Sequence, residues 1–226
     1  MASTNKKIIE MEDKKTLDAG GVKKVLEILA ETYPDAKCEL VHASPFQLLA
    51  AVMLSAQTTD KKVNQVTDDL FVLYSDAEKM AGADQAEVER IIRPLGMYRT
   101  KSANLIKMSK MLVEKYGGQV PEDQKLLEEL PGIGRKSANV VMADAFGHQR
   151  IAVDTHVFRV SNRIGLVRED NVLNTEKALM KVLPDDQWTA NHHRIIWHGR
   201  RLCTARSPKC GECPLLGTCL QYGLDE

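Results

Sequence analysis

The sequence lacks the features that mark membrane and exported proteins. None of its apolar runs approaches the roughly 20 residues that a membrane-spanning helix needs. The N-terminal stretch MASTNKKIIEMEDKKTLD mixes acidic with basic residues and has no apolar signal core. We therefore expect a cytoplasmic protein with a polar leader over residues 1–21 and no membrane partner.

The sequence also lacks an excess of charge of either sign. It has 31 Lys and Arg against 31 Asp and Glu, so the net charge is zero. No global basic field attracts nucleic acid, and any such binding must rest on local patches. The 226 residues, 43% of them hydrophobic, suffice for one or two domains with a buried core. No heptad pattern is present, and we expect a monomer.

Strand signals, internal repeats and low-complexity tracts are absent as well. Apolar residues recur instead at helical spacing, as they do from Val22 to Tyr33. The segment after Ser44-Pro45 is apolar nearly all round, which is typical of a helix buried inside a domain. These patterns predict an all-α protein with about ten helices and short loops.

The stretch LPGIGRKSANVV at 130–141 is the most informative in the chain. It predicts a helix that ends before Pro131, a tight glycine turn, and a second helix from about Arg135 to Phe146. We expect Gly132 and Gly134 to give the turn positive φ angles and to let a partner approach the backbone. N–H groups of the turn and of the second helix then form a pocket for a phosphate.

Lys136 falls in the first turn of that second helix. The helix dipole and the neighbouring Arg135 both disfavour a positive charge there and favour the neutral amine. A neutral amine at this position can act as a nucleophile. The alternative is a solvated Arg-Lys pair that contacts phosphate.

Four of the five cysteines lie within seventeen positions, in the pattern C-x6-C-x2-C-x5-C. Without a secretion signal, such a group indicates metal binding rather than disulfides. A structural zinc site usually has two C-x-x-C pairs, and only one is present here, so a [4Fe-4S] cluster is favoured and zinc is the alternative. The predicted ligands are Cys203, Cys210, Cys213 and Cys219.

Three further sites have both a functional and an ordinary interpretation. Arg206 and Lys209 lie between the first two cysteine ligands, where a loop fixed at both ends can present them to phosphates, or they are common surface charges. Gln57 ends the apolar helix and either makes a helix-end hydrogen bond or points at a ligand. Leu95 and Met97 form an apolar tip that either wedges into stacked bases or packs inward.

Taken together, LSAQTTD at 54–60, LPGIGRKSANVV at 130–141, VDTHVFRV at 153–160 and the cysteine spacing resemble one family. It is the endonuclease III branch of the helix-hairpin-helix DNA glycosylases, and the resemblance runs from about Val25 to Cys219. The resemblance implies a six-helix barrel domain with the hairpin over 38–148. It also implies an iron–sulfur cluster domain formed by 22–37 plus 149–226, with a DNA-binding groove between the two.

The resemblance further implies a bifunctional base-excision-repair enzyme that acts on damaged double-stranded DNA. Such an enzyme removes oxidised pyrimidines of the thymine glycol type and cleaves the strand by β-elimination. Lys136 matches the Schiff-base nucleophile of the family and Asp154 its catalytic carboxylate. Gln57 matches a glutamine that enters the DNA helix, and Met97 matches an apolar wedge that is commonly leucine.

Local chemistry leaves other roles open for several of these residues. Asp154 is also a good N-cap for the helix that follows it, and the two roles are compatible. His156 either contacts the lesion or, as we favour, orients its loop. His192 and His193 are expected at ordinary solvent or core positions.

Four competing functions remain at this stage. An adenine-specific mismatch glycosylase typically lacks the lysine and has a further C-terminal domain, and a thymine-mismatch glycosylase is disfavoured by the same lysine. A non-catalytic DNA-binding module has no need of a carboxylate near the hairpin lysine. A redox sensor would leave most of the chain unexplained.

Overall fold

The structure is a computed structural model, and it describes residues 16–221. Residues 1–15 of the predicted polar leader lie outside this range. Within it the chain forms eleven α-helices and two short 3-10 helices, without a strand, which confirms the all-α class. The α-helices are α1 Ala19–Thr32, α2 Pro45–Leu54, α3 Asp60–Leu73, α4 Ala77–Ala81, α5 Gln85–Ile92, α6 Tyr98–Tyr116, α7 Gln124–Glu128, α8 Arg135–Asp144, α9 Thr155–Ile164, α10 Val172–Val182 and α11 Trp188–Arg201, and the 3-10 helices are Asp185–Gln187 and Cys210–Glu212.

Local capping chemistry explains where most of these helices begin and end. Ser44 Oγ accepts a hydrogen bond from the Gln47 N–H at 3.3 Å, and Pro45 is the first residue of α2. Gly165 ends α9 with a φ of 90°. The five-residue helix α4 was not predicted, although Asp76 caps it by accepting a hydrogen bond from the Lys79 N–H at 2.8 Å.

The chain divides into two compact units, and it crosses between them twice. The central unit is Cys38–Arg150, and the split unit consists of Met1–Lys37 together with Ile151–Glu226. The N-terminal part of the split unit is joined to the rest by the Leu17 N–H, which donates to the Gly165 carbonyl at 2.8 Å. The predicted domain bounds place the second crossing at 148/149, two residues before the crossing between these units.

The core of the central unit is built around α2. Leu48, Leu49 and Leu54 are fully buried, and α2 packs against α3, α6 and α8. Burying each such leucine stabilises the fold by about 1.5–3 kcal/mol relative to leaving it exposed. The hairpin helix α8 is therefore supported directly by the most apolar helix of the unit.

The core of the split unit joins α1 to the C-terminal half of the chain. Helix α11 packs against both α1 and α9. The buried side chains include Val25, Leu29, Val157, Val160 and Ile195. His192 and His193 on α11 are buried, at 3% and 6% exposure, which places them in the core as one of their two expected positions. Among the described residues, no helix combines the length and the apolar character that a bilayer crossing requires.

Candidate functional site

The turn between α7 and α8 needs a glycine at only one of its two glycine positions. Gly132 has a φ of 83°, and a Cβ there would lie 3.1 Å from Met53 Sδ. The expectation of positive φ is thus confirmed for Gly132. It is wrong for Gly134, whose φ of −109° and ψ of 178° are open to any residue. A Cβ on Gly134 would meet no atom within 4 Å, so this position faces open space.

Helix α8 begins without a side-chain cap. Gly134 is its N-cap residue, and the first intrahelical bond runs from the Ala138 N–H to the Gly134 carbonyl at 2.9 Å. Arg135 and Lys136 are exposed in the first turn. An exposed helix N-terminus that lacks a side-chain cap binds anions well, because N–H groups and the helix dipole both favour negative charge there.

Gln57 and Met97 both have left-handed backbone conformations. Their φ angles are 55° and 56°, and among residues 16–221 the only other non-glycine residue with a positive φ is Gln221. Each such conformation costs on the order of 1–2 kcal/mol for an L-amino acid, and strained residues of this kind cluster at functional sites. Both side chains are exposed. The structure therefore stores strain at the two residues that the sequence predicts to enter DNA.

The apolar tip before α6 divides into one buried and one exposed residue. Leu95 is 1% exposed and packs inward, whereas Met97 is 50% exposed. Leu95 thus follows the inward-packing alternative, and the wedge alternative stays open for Met97. Only Met97 is available as a wedge.

Lys101, in the first turn of α6 just after this tip, is buried. It is 5% exposed, and its Nζ donates to Thr58 Oγ1 at 2.9 Å. Burial lowers the pKa of the Lys101 ammonium. A sequence signal was present, because Lys101 shares a helical stripe with the buried Leu105, Met108 and Leu112.

Asp154 is the N-cap of α9. Its Oδ1 accepts a hydrogen bond from the Val157 N–H at 2.7 Å, and its carbonyl accepts from the Phe158 N–H at 2.9 Å. The capping role foreseen for Asp154 is therefore present. This bond fixes the orientation of the carboxylate, while Oδ2 makes no hydrogen bond within residues 16–221.

Two arginines of α9 hold the beginning of the cysteine segment, and neither was predicted from the sequence. Arg159 Nη2 donates to the carbonyl of Cys203 at 2.9 Å. Arg163 donates through Nη1 to the Thr204 carbonyl at 2.7 Å and through Nη2 to the Ala205 carbonyl at 2.9 Å. Their i, i+4 spacing on a helix with a buried apolar stripe was the available signal.

His156 lies against the first of these arginines. Its Nδ1 is 3.2 Å from Arg159 Nη2, which can only donate, so Nδ1 accepts. Burial lowers the pKa of His156, in keeping with a neutral ring. This contact suits the favoured interpretation, in which His156 orients its surroundings.

The four clustered cysteines are free thiols that influence one another electrostatically. Burial raises the pKa of the Cys219 thiol to about 11, and the charges of Cys203, Cys213 and Cys210 add to this rise. Within residues 16–221 no three His, Cys, Asp or Glu side chains already form a group able to hold a metal ion. The chemistry of the residues nevertheless fits an iron–sulfur cluster, because four cysteines are the ligands that a [4Fe-4S] cluster takes, and the Arg163 guanidinium, 3.8 Å from Cys203 Sγ, suits its negative charge. The isolated Cys38 is partly buried, and burial raises its pKa to about 12.

The basic loop between the first two cysteines is closed by its own hydrogen bonds. The Lys209 N–H donates to the Leu202 carbonyl at 3.0 Å, and Thr204 Oγ1 donates to the Ser207 carbonyl at 2.6 Å. Arg206 and Lys209 are both exposed on this loop. These hydrogen bonds already order the loop, so its two positive charges need no further ordering before they contact a partner.

Comparison with protein families gives two matches that together span most of the chain. Residues 50–185 match the HhH-GPD superfamily base excision DNA repair protein family. Residues 203–219 match the iron-sulfur binding domain of endonuclease III. Together with the helical fold, these two matches define a base-excision DNA repair protein that carries a [4Fe-4S] cluster, and zinc is set aside.

Individual relatives narrow the class further. Endonuclease III of Bacillus subtilis is 50% identical over 195 residues, which cover 86% of this chain and 89% of that protein. Endonuclease III of Escherichia coli is 44% identical over 195 residues, covering 86% and 92%. The structure of a trapped endonuclease III–DNA covalent intermediate matches with a TM-score of 0.87 at 49% identity, over 91% of this chain and 97% of that one. A thermostable thymine-DNA glycosylase shares the fold at 23% identity, with a TM-score of 0.80 over 90% of this chain and 97% of that one.

The chain belongs to the endonuclease III family. It is a DNA glycosylase with abasic-site (AP) lyase activity, and the resemblance inferred from the sequence is confirmed. The binder, redox-sensor and mismatch-glycosylase alternatives give way to this assignment.

Proposed function

We propose that the enzyme excises oxidised pyrimidines of the thymine glycol type from damaged double-stranded DNA and cleaves the strand with Lys136. The observation that carries this proposal is the position of Lys136, exposed in the first turn of a helix whose N-terminus has no side-chain cap. A damaged base is reachable only after it leaves the base stack, and lesions that pair poorly leave it more easily. The phosphate beside such a lesion can then rest on the hairpin while the amine approaches the sugar.

The reaction proceeds in two stages through the same amine. The neutral amine of Lys136 attacks C1′ of the sugar, the glycosidic bond breaks, and the base departs with the bonding electron pair and a proton. The C1′–O4′ bond of the sugar ring then opens, O4′ takes up a proton, and the nitrogen lone pair forms the C1′=N bond of an iminium ion. The iminium makes the C2′ hydrogen acidic, and its removal breaks the C3′–O bond and releases the 3′ phosphate.

Asp154 serves this chemistry as the catalytic carboxylate. Its negative charge stabilises the positive charge that develops on the sugar, and it helps to take the proton from Lys136. Because Oδ1 is held by the Val157 N–H, Oδ2 is the oxygen that we assign to these tasks. Capping and catalysis then use different oxygens of one side chain.

The DNA contacts fall into two groups. Gln57 and Met97 fill the space that the extruded nucleotide leaves, Gln57 by hydrogen bonds and Met97 as an apolar wedge. Gly132, Gly134, Arg135, Arg206 and Lys209 contact phosphates, which positions the duplex without reading its sequence.

The four cysteines hold the [4Fe-4S] cluster, which when bound cross-links their segment. Arg159 and Arg163 fix the backbone where that segment begins, so that Arg206 and Lys209 are presented in a defined place. We further propose that the barrel domain corresponds to 38–148 and the cluster domain to 22–37 plus 149–226. The enzyme then acts as a monomer on cytoplasmic, nucleoid-associated DNA.

Borohydride trapping on a duplex with one thymine glycol tests the proposal. Wild type should form a covalent adduct that survives a denaturing gel, and Lys136→Met should lose it, because methionine keeps the length of the side chain but has no amine. Lys110→Met, which also replaces an exposed helix lysine of the central unit, serves as the matched control and should trap like wild type. A full adduct with Lys136→Met would refute the assignment of the nucleophile.

A further inference from the structure

Lys101 connects the two left-handed residues of the central unit. Its backbone N–H donates to the Met97 carbonyl at 2.9 Å and closes the first turn of α6. Its side chain reaches the loop between α2 and α3, where Nζ donates to Thr58 Oγ1 at 2.9 Å. One residue thus contacts Met97 at one end and the neighbour of Gln57 at the other.

Thr58 holds the turn around Gln57 through both its backbone and its side chain. The Thr58 N–H donates to the Ser55 carbonyl at 3.0 Å, and Thr58 Oγ1 donates to the Ala56 carbonyl at 3.4 Å while it accepts from Lys101. A φ of 55° at Gln57 is unfavourable on its own and persists only where surrounding bonds hold it. Without the hydroxyl or the ammonium, the turn loses this hydrogen bond to α6.

A buried ammonium at this place is itself unusual. Lys101 is 5% exposed, and within residues 16–221 its ammonium has Thr58 Oγ1 as its hydrogen-bond partner, with no carboxylate in ion-pair range. Buried lysines are rare unless they are paired, because removing the charge from water is costly. A methionine in this apolar stripe would fill the same space without that cost, so stability alone does not explain the lysine.

We propose that Lys101 is a positioning residue for base extrusion. Its hydrogen bonds to Thr58 and to the Met97 carbonyl hold Gln57 and Met97 at a fixed spacing before DNA binds. This rests on the proposed roles of Gln57 and Met97 in filling the vacated space. A preorganised pair accelerates extrusion because the strained conformations need not be formed while the base is leaving. Chemistry at Lys136 on a strand that needs no extrusion is independent of this pair.

The test compares two substrates under single-turnover conditions. One is a duplex with thymine glycol, which requires extrusion, and the other is a single strand with an abasic site, which does not. Lys101→Met and Thr58→Val should each slow base release from the duplex about tenfold and change single-strand cleavage by less than about twofold. The double variant should be no slower than either single one, because both changes remove the same hydrogen bond.

Two matched controls accompany these variants. Thr58→Ser keeps the hydroxyl and should retain wild-type rates on both substrates. Thr59→Val makes the same chemical change one residue later, at a threonine whose side chain caps no helix N–H, and should also behave like wild type.

Each remaining outcome overturns the proposal. Equal losses on both substrates would show a general defect of the fold, and unchanged duplex rates would show that the contact does not matter for extrusion. A double variant about a hundredfold slower would show two independent effects. If wild type neither traps nor cleaves either substrate, the proposed function itself fails, and this result is distinct from the others.

Discussion

The two helices beside the predicted catalytic residues have opposite N-caps. The N-cap residue of α8 is Gly134, which has no side chain to cap the helix, and two basic residues occupy the first turn. The N-cap residue of α9 is Asp154, whose carboxylate accepts a hydrogen bond from the Val157 N–H at 2.7 Å. At its N-cap, α8 has no side-chain acceptor, whereas α9 has an anionic one from its own chain.

This difference separates binding from stability in the two regions. A cap of the Asp154 type stabilises a helix by about 0.5–2 kcal/mol relative to alanine. Helix α8 lacks that contribution, and the positive charges in its first turn are unfavourable there. It relies on packing against α2 instead. The missing side-chain cap at Gly134 suits the phosphate contact that we propose for the hairpin.

The largest effect should follow from a change that keeps the cap of α9 and removes its charge. Asparagine caps a helix about as well as aspartate, so the free energy of unfolding of Asp154→Asn should lie within about 0.5 kcal/mol of the wild-type value. Base release measured in a single turnover should fall by a factor of about 10² to 10⁴, since the carboxylate no longer stabilises charge or takes a proton. Asp154→Ser, a neutral cap of different shape, is the control and should lose activity to the same degree. Retention of base release by Asp154→Asn would leave Asp154 as a structural cap only.

An intermediate effect should follow when α8 is given the cap that it lacks. The structure accepts a side chain at position 134, because the φ of Gly134 is negative and its surroundings are empty. Gly134→Asp should therefore leave the free energy of unfolding unchanged or slightly raised. Its carboxylate would compete with phosphate, and the Kd for an abasic-site duplex should rise about tenfold or more.

The neutral variant Gly134→Ala separates charge from bulk in that experiment. If charge and capping are responsible, its Kd should rise much less than that of Gly134→Asp. Equal losses in the two variants would mean that a close backbone approach, rather than an open N-terminus, is what the DNA needs.

The smallest effects should come from the basic loop of the split unit. Arg206→Ala and Lys209→Ala should each weaken DNA binding uniformly across sequences and lower the slope of log K against log salt by about 1. Binding titrations at about 50 to 200 mM salt measure this slope, because counterion release changes the affinity strongly over that range. Lys177→Ala, an exposed lysine elsewhere in the split unit, should leave it unchanged. An unchanged slope for both loop variants would remove the loop from the DNA contact.

The sequence by itself determined the features that depend on neighbours along the chain. The N-cap at Asp154 was predicted because capping involves groups within three or four residues, and the Ser44-Pro45 pair marked the start of the apolar helix α2. The three motifs at 54–60, 130–141 and 153–160, taken together with the cysteine spacing, likewise indicated the family, because each is a pattern of residues close together along the chain.

Only the tertiary structure decided what depends on contacts between distant segments. Lys101 meets Thr58 across 43 residues, and Arg163 meets Thr204 across 41, and neither pairing has a local signal. The left-handed backbone at Gln57 and Met97 belongs to residues that avoid it on their own, so it exists because the packed central unit holds it in place. At Gly134 the glycine was read from the sequence as a source of positive φ, but the fold gave it ordinary φ and open space, because the turn is already closed by the Ile133 N–H to the Leu130 carbonyl at 3.0 Å.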